Sequence, residues 1–269
     1  MNIPHPLKST TNRILDAIEF IGGLGYLLRD TAASTRAALF GKRGKRLGWG
    51  NLWFQMDRVG VRSIPIVSLV LFCIGAILAF QMDPVLRRFG VASTIPDIIS
   101  ISIFRELGPL TAAIVLTGFA GASIAAEIGT MVVSEEIEAL EAEAIAPIRF
   151  LVVPRVIATT VMMVCIAVVA DIMGCSGGLV VSGVFLGLGP GMYLQHTFSA
   201  VELKDFLTGL VKAGVFGTLI SGLACYLGLS VTGGAQGVGV ATTRTVVLTI
   251  VALIVTDLLF TSVFYYLGL

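Results

Sequence analysis

The chain has 269 residues, 18 Lys and Arg against 17 Asp and Glu, 56% apolar residues, 13% charged residues and a mean hydropathy of +0.94. Soluble domains carry about 25% charge, so this composition all but excludes a globular cytosolic enzyme and reads as an all-α integral membrane protein. A net charge of +1 offers no field for nucleic acid. The four cysteines (Cys73, Cys165, Cys175, Cys225) lie in apolar stretches without CxxC spacing, and only His5 and His196 could join them, so they read as small buried hydrophobes rather than as a metal or disulfide set.

In chain order, the N-terminal region lacks the apolar run and small-residue cleavage site of a signal peptide. Between Asn12 and Phe40, Ile14, Ile18, Ile21 and Leu28 recur at helical spacing, while Arg13, Asp16, Glu19, Arg29, Asp30 and Arg36 interrupt every window long enough to span a bilayer. The spacing predicts an interfacial helix lying on the membrane surface, with a cytosolic helix packed on a partner as the alternative. The basic run Lys42, Arg43, Lys45 and Arg46 precedes Trp49, Trp53 and Phe54, aromatic residues suited to the headgroup level. Residues 1–58 therefore form an N-terminal interfacial segment, and 59–269 the transmembrane region.

Five apolar runs follow: Ser63–Met82; Leu107–Ala126 with a polar lead-in from Asp97; Val156–Leu188; Phe206–Leu229 carrying Lys212; and Val246–Leu267. The third is 33 residues long, about 50 Å as a helix, and is expected to be one long, tilted or broken span, with a tight hairpin as the alternative. Ten of the 18 basic residues lie at or before Arg62, which predicts a cytoplasmic N-terminus and an external Leu269.

That topology makes Glu127–Arg149 and Ser230–Thr245 cytoplasmic connections. The first holds Glu127, Glu135, Glu136, Glu138, Glu141 and Glu143, with Ile137, Leu140, Ala144 and Ile145 three to four residues apart. This predicts a short amphipathic helix near 134–145 that either docks a partner or presents a solvated charged face. In the second, the glycine-rich stretch Thr232–Gly239 reads as a flexible turn, because it lacks the strand and lysine of a phosphate-binding loop.

Arg105 and Glu106, followed by Gly108 and Pro109, stand at the edge of the hydrocarbon zone, where a charge needs a partner or water. Adjacent helical residues point about 100° apart, so each should find partners elsewhere, in an interhelical ion pair or in a ligand headgroup. Gly174/Gly178, Gly183/Gly187, Gly121/Ala125 and Gly217/Ser221 have the spacing of close helix packing. No GxxxxGK[ST], GxSxG or HExxH motif occurs, and GKRGKR at Gly41–Arg46 has the wrong spacing, so no catalytic residue and no metal ligand is assigned.

RELGPL at Arg105–Leu110, GFAGASIAAEIGTM at Gly118–Met131, the acidic helix followed by Pro147, Arg149, Pro154 and Arg155, and ATTRTVV at Ala241–Val247 together resemble the MlaE (YrbE) family of ABC lipid-transport permeases. Phe119 stands where the family commonly has arginine, and Ala146 where it often has aspartate. The resemblance implies a homodimer of about five transmembrane helices in the inner membrane that moves phospholipid. It further implies a cytosolic ABC ATPase that binds ATP and Mg and docks on a coupling helix, an MCE-domain protein outside and room for a small STAS-domain protein. This chain itself would bind no cofactor. Glu135, Glu136, Glu138, Leu140 and Glu141 fall at the coupling-helix position. Gln81, Arg105 and Glu106 flank a short external connection and are candidates for the lipid path. Arg244 joins them on the ATTRTVV resemblance. The alternative is an ion- or proton-coupled secondary transporter using Arg105, Glu106, Asp171, Lys212 and Asp257 as a relay.

Overall fold

The computed structural model describes residues 19, 21–36 and 49–268, and the described residues contain helices and no strand. The expectations for Ile14, Ile18 and the basic run at 42–46 lie outside them. The helices are α1 (residues 21–36), α2 (Trp49–Val59), α3 (Ile64–Arg88), α4 (Ile95–Ser102), α5 (Gly108–Leu116), α6 (Ala122–Val133), α7 (Glu136–Ala142), α8 (Val153–Val184), α9 (Pro190–Ala200), α10 (Leu203–Leu229) and α11 (Gly234–Leu267). Among the described residues, five helical stretches are long and apolar enough to cross a membrane: Gly50–Arg88, Ala92–Val133, Ile148–Val184, Leu203–Leu229 and Gly234–Leu267.

The third apolar run is a single helix. Its glycines do not break α8, because the helix packs through them, and the hairpin alternative is thereby removed. A Cβ on Gly75 of α3 would overlap the Gly174 carbonyl of α8, and one on Gly177 would overlap the Phe72 carbonyl. Each helix thus places a hydrogen where its neighbour places backbone, and the two axes approach as in small-xxx-small membrane pairs. Val67, Leu71, Gly75 and Ala79 recur every four residues on the buried face of α3. Gly217 of α10 also approaches α8, less closely: a Cβ there would stand 2.8 Å from Thr160 Cα and 2.9 Å from Met163 Cβ. The Gly183/Gly187 pair packs nothing: Gly183 has only Pro190 and Leu188 nearby, and Gly187 uses φ +72° to leave the helix.

Three π-helical turns, Ile103–Leu107, Thr117–Gly121 and Ile148–Val152, widen the helical path. Pro109 and Pro154 follow the first and third within two residues. A proline ring excludes the carbonyl four residues back and offers no N–H, so the preceding turn opens rather than the helix ending. The second helical stretch is 42 residues long, Ala92–Val133, and exceeds the apolar run Leu107–Ala126 because helix continues before it through α4 and after it to Val133.

Helix α1 applies its apolar stripe to its own chain. Leu27 is buried, Leu24 and Leu28 approach Gly222 of α10, and Gly23 lies against the Tyr226 ring, whereas Ile21 and Tyr26 stay exposed. The stretch Thr232–Gly239 is not a free turn either. Only residues 230–233 turn, Gly233 at φ +86° and Gly234 at φ +69° make the corner, and α11 has begun by Gly234, three helical turns before Arg244.

The bundle has two ends. The α7 end gathers residues 127–149, α2 and the turn before α11, as Gly129 lying against Val231 and Val238 shows. At the α9 end, α9 packs on α4, and Arg87 Nη2 donates to the Leu186 carbonyl at 2.7 Å. Helix α11 is peripheral: 11% of its apolar window is buried, against 61% for α10.

Candidate functional site

Arg105 and Glu106 lie on the first π turn, which glycines hold against two neighbouring helices. A Cβ on Gly209 of α10 would overlap the Phe104 carbonyl, and one on Gly108 would overlap Asp171 Oδ1 of α8. The wide turn is thereby pressed into the bundle, and Glu106 faces α10 and α11.

Three charges from three spans meet there. Lys212 Nζ of α10 is 2.7 Å from Glu106 Oε2 and 2.9 Å from Asp257 Oδ1 of α11. Thr261 Oγ1 donates to Glu106 Oε1 at 2.7 Å and accepts from Lys212 Nζ at 3.0 Å. The Phe264 ring centroid lies 6.0 Å from the ammonium. Lys212 is 1% exposed, and two carboxylates and a hydroxyl take the place of water around its amino group. Arg105 points to one side, with Nη1 3.4 Å from Asp205 Oδ1. Asp205 also caps α10, its carboxylate accepting from the Glu202 N–H at 3.0 Å.

Arg105, Glu106, Thr208, Lys212, Thr261, Phe264 and Tyr265 line a cavity of about 390 Å³ near the α9 end. A guanidinium fork, an ammonium, a carboxylate and two aromatic rings give it complementary groups for an amphipathic molecule with charges of both signs. Gln81, an exposed residue of α3, does not line it. Arg244 does not either: it lines a different cavity, of about 350 Å³, with Ser230, Thr232 and Gln236 at the α7 end. It precedes Thr261 by 17 residues on α11, about 25 Å along the axis. Of the residues considered for a relay, Asp171 stands apart, buried beside Gly108, with Oδ1 accepting no hydrogen bond among the described residues.

The acidic segment forms α7 between two left-handed corners, Glu135 at φ 61° and Ala144 at φ 60°. Glu135, Glu136, Glu138 and Glu141 are exposed, and Ile137, Leu140 and Ile145 are half-buried, so the apolar stripe is only partly covered by the chain. Just before α7, Glu127 binds Arg58 of α2 through one oxygen and Arg155 of α8 through the other, the latter at 3.1 Å. Lys212 and Asp257 belong to the central cluster although sequence reading placed them only in the relay alternative. Their signal was a lone charge in an apolar span, which requires an opposite partner. No signal identified Thr261 or the Arg58–Glu127–Arg155 bridge. Among the described residues no group of three or more His, Cys, Asp and Glu could hold a metal ion.

The sequence profile described as Permease MlaE matches residues 52–263. A probable ABC transporter permease protein of Rickettsia felis is 42% identical over 211 residues, covering 78% of this chain and 82% of that protein. The Arabidopsis thaliana protein TRIGALACTOSYLDIACYLGLYCEROL 1, chloroplastic, is 30% identical over 82% of this chain and 63% of its own length. The intermembrane phospholipid transport system permease protein MlaE of Haemophilus influenzae is 29% identical over 97% of this chain and 98% of its own. With five apolar helices of spanning length, the chain belongs to the MlaE permease family and is a permease subunit of an ABC transporter.

Proposed function

We propose that this subunit moves phospholipid, and that the cavity at Arg105, Glu106 and Lys212 receives its headgroup. The observation that carries the reading is the cavity's composition, in which an arginine fork and a carboxylate at the π turn stand beside Phe264 and Tyr265. A phosphate matches the guanidinium bidentately, and a headgroup ammonium matches Glu106, while the acyl chains follow the apolar helix faces. The Haemophilus relative's name, with its intermembrane phospholipid transport, supports the same cargo. The relay of a secondary transporter is the weaker reading because the family is one of ABC permeases, although four of its five residues, Arg105, Glu106, Lys212 and Asp257, meet here and only Asp171 stands apart.

In this reading the N-terminus is cytoplasmic, the α7 end faces the cytosol and the chain resides in an inner membrane. A separate ABC ATPase, which binds ATP and Mg, docks on α7. The permease acts as a homodimer joined along the sparsely covered α11, with an MCE-domain protein at the α9 end and a small STAS-domain protein on the ATPase. Docking on α7 covers Ile137 and Leu140 in a groove of the ATPase.

Two measurements on the tagged protein test this. Mass spectrometry of the purified assembly is expected to identify an ATPase, an MCE-domain protein and bound phospholipid, and recovery of the chain alone and lipid-free contradicts the reading. Leu140→Asp is expected to reduce ATPase recovery at least tenfold while the permease still inserts, because it places a carboxylate in the centre of the apolar stripe. Full ATPase stoichiometry in that pull-down would place the contact elsewhere.

A further inference from the structure

The α7 end holds a second, smaller cavity of about 210 Å³ between α2 and α6. Gln55, Arg58 and Arg62 line one side, Ser123 and Glu127 the other, and Phe119 borders it. Gln55 is 5% exposed, yet its amide makes no hydrogen bond to any described residue and opens on this cavity. The amide's polar atoms keep access to the cavity, so whatever occupies the cavity supplies their hydrogen-bond partner.

Charge identifies the partner. Arg58 and Arg155 both bind Glu127, Arg155 is buried with Nε unbonded among the described residues, and Arg62 Nε lies 3.4 Å from Asp57. Of these groups Arg58, Arg62 and Glu127 line the cavity itself, two guanidiniums against one carboxylate. Ser123 donates its hydroxyl proton to the Phe119 carbonyl at 2.9 Å. What the site lacks is an acceptor-rich anion, and a phosphate supplies oxygens to both the amide and the forks. The volume is below the roughly 300–1,000 Å³ of sites that enclose a whole drug-sized ligand, so a headgroup fits and its chains must leave. Phe119, which lines the cavity, is itself exposed and offers an apolar exit.

We propose that this cavity binds the phosphate-bearing headgroup of a phospholipid at the α7 end, a second lipid site distinct from the one at Glu106. Glu106 and Glu127 are 21 residues apart on one span, about 30 Å along the helix, so one headgroup cannot occupy both cavities. The proposal rests on the lipid-transport reading for its cargo, whereas its test reads binding without ATP.

A benzophenone amino acid replaces Phe119 in the full chain, purified with its associated subunits into nanodiscs of phosphatidylethanolamine and phosphatidylglycerol. Irradiation is expected to give a phospholipid adduct by intact mass. Its yield should fall at least fivefold in Gln55→Leu, which keeps the volume and removes the donor, and in Arg62→Gln, an exposed position where folding is not at stake. Equal yields in all three proteins mean bulk lipid contact and overturn the site. Retention of radiolabelled inorganic phosphate by discs of phosphate-free galactolipid, lost in Arg62→Gln and without a variant-sensitive lipid adduct, assigns the cavity to a soluble anion and also overturns it. A chain that transfers lipid but gives no variant-sensitive adduct refutes this site alone, and a variant-sensitive adduct without transfer upholds it while the transport reading fails.

Discussion

Lys212→Met lowers the stability of the permease by about 3–5 kcal/mol, the scale for removing one partner of a buried ionic group. Lys212 is the cation shared by Glu106 and Asp257 and is almost wholly enclosed. Without it, two carboxylates from different spans face each other with no cation between them, Asp257 largely enclosed and Glu106 reaching only the cavity, and α11 loses the contact that ties it to α10 near the α9 end. A fluorescence-monitored melt in detergent should show Tm falling by roughly 6 °C or more. Adding Glu106→Gln and Asp257→Asn to Lys212→Met should restore most of that loss, because a neutral set leaves no unpaired charge. A Tm unchanged in the single variant would mean that the three charges do not depend on one another.

Gly75→Ala is the second large effect. The added methyl points into the Gly174 carbonyl of α8, and a helix backbone cannot rotate aside as a side chain can. The two helices must separate, so overpacking costs about 1–3 kcal/mol, at the upper end because the helices meet in register at Gly177 and Phe72 as well. Gly239→Ala is the control: its Cβ meets no heavy atom within 4 Å, and in α11 it should be neutral or stabilising by up to about 1 kcal/mol. Thermal melts of the two variants in parallel check the contrast, and equal midpoints would contradict the packing account.

Much of the fold was legible because hydrocarbon permits so few solutions. Five apolar runs became five helical stretches, since a backbone in lipid must satisfy itself. Span limits were less legible. Hydropathy ends where polar residues begin, but Asp97 and Glu127 remain helical, supported by His196 at 3.1 Å and by Arg58 and Arg155. The stretch Thr232–Gly239 shows the same limit in reverse, because a glycine-rich string looks like a turn until Gly237 is packed against the Thr232 carbonyl at the base of α11.

At the site, the charges of Arg105 and Glu106 were visible as misfits in an apolar context, and the need for partners followed from cost alone. Which partners could not follow: Lys212 is 106 residues from Glu106, and only the packing of three spans selects it over another cation such as Arg244. Gln81 and Arg244 were joined to the group by hairpin proximity and by motif. Neither consideration fixes depth along a helix, and depth is what separates them from the cavity.

In the proposed function, phospholipid passes by the Glu106 cavity under the power of a separate ATPase. The most direct measurement is ATP-dependent transfer of labelled phospholipid by the purified assembly reconstituted in vesicles, comparing wild type with Glu106→Gln and Arg105→Lys. The first variant removes a charge at constant shape, and the second keeps the charge but loses the bidentate fork. The account predicts that both retain the ATPase and its subunits yet transfer lipid at least tenfold more slowly. Wild-type transfer by both variants would contradict it and leave the cluster as an ion pair that only holds the helices together.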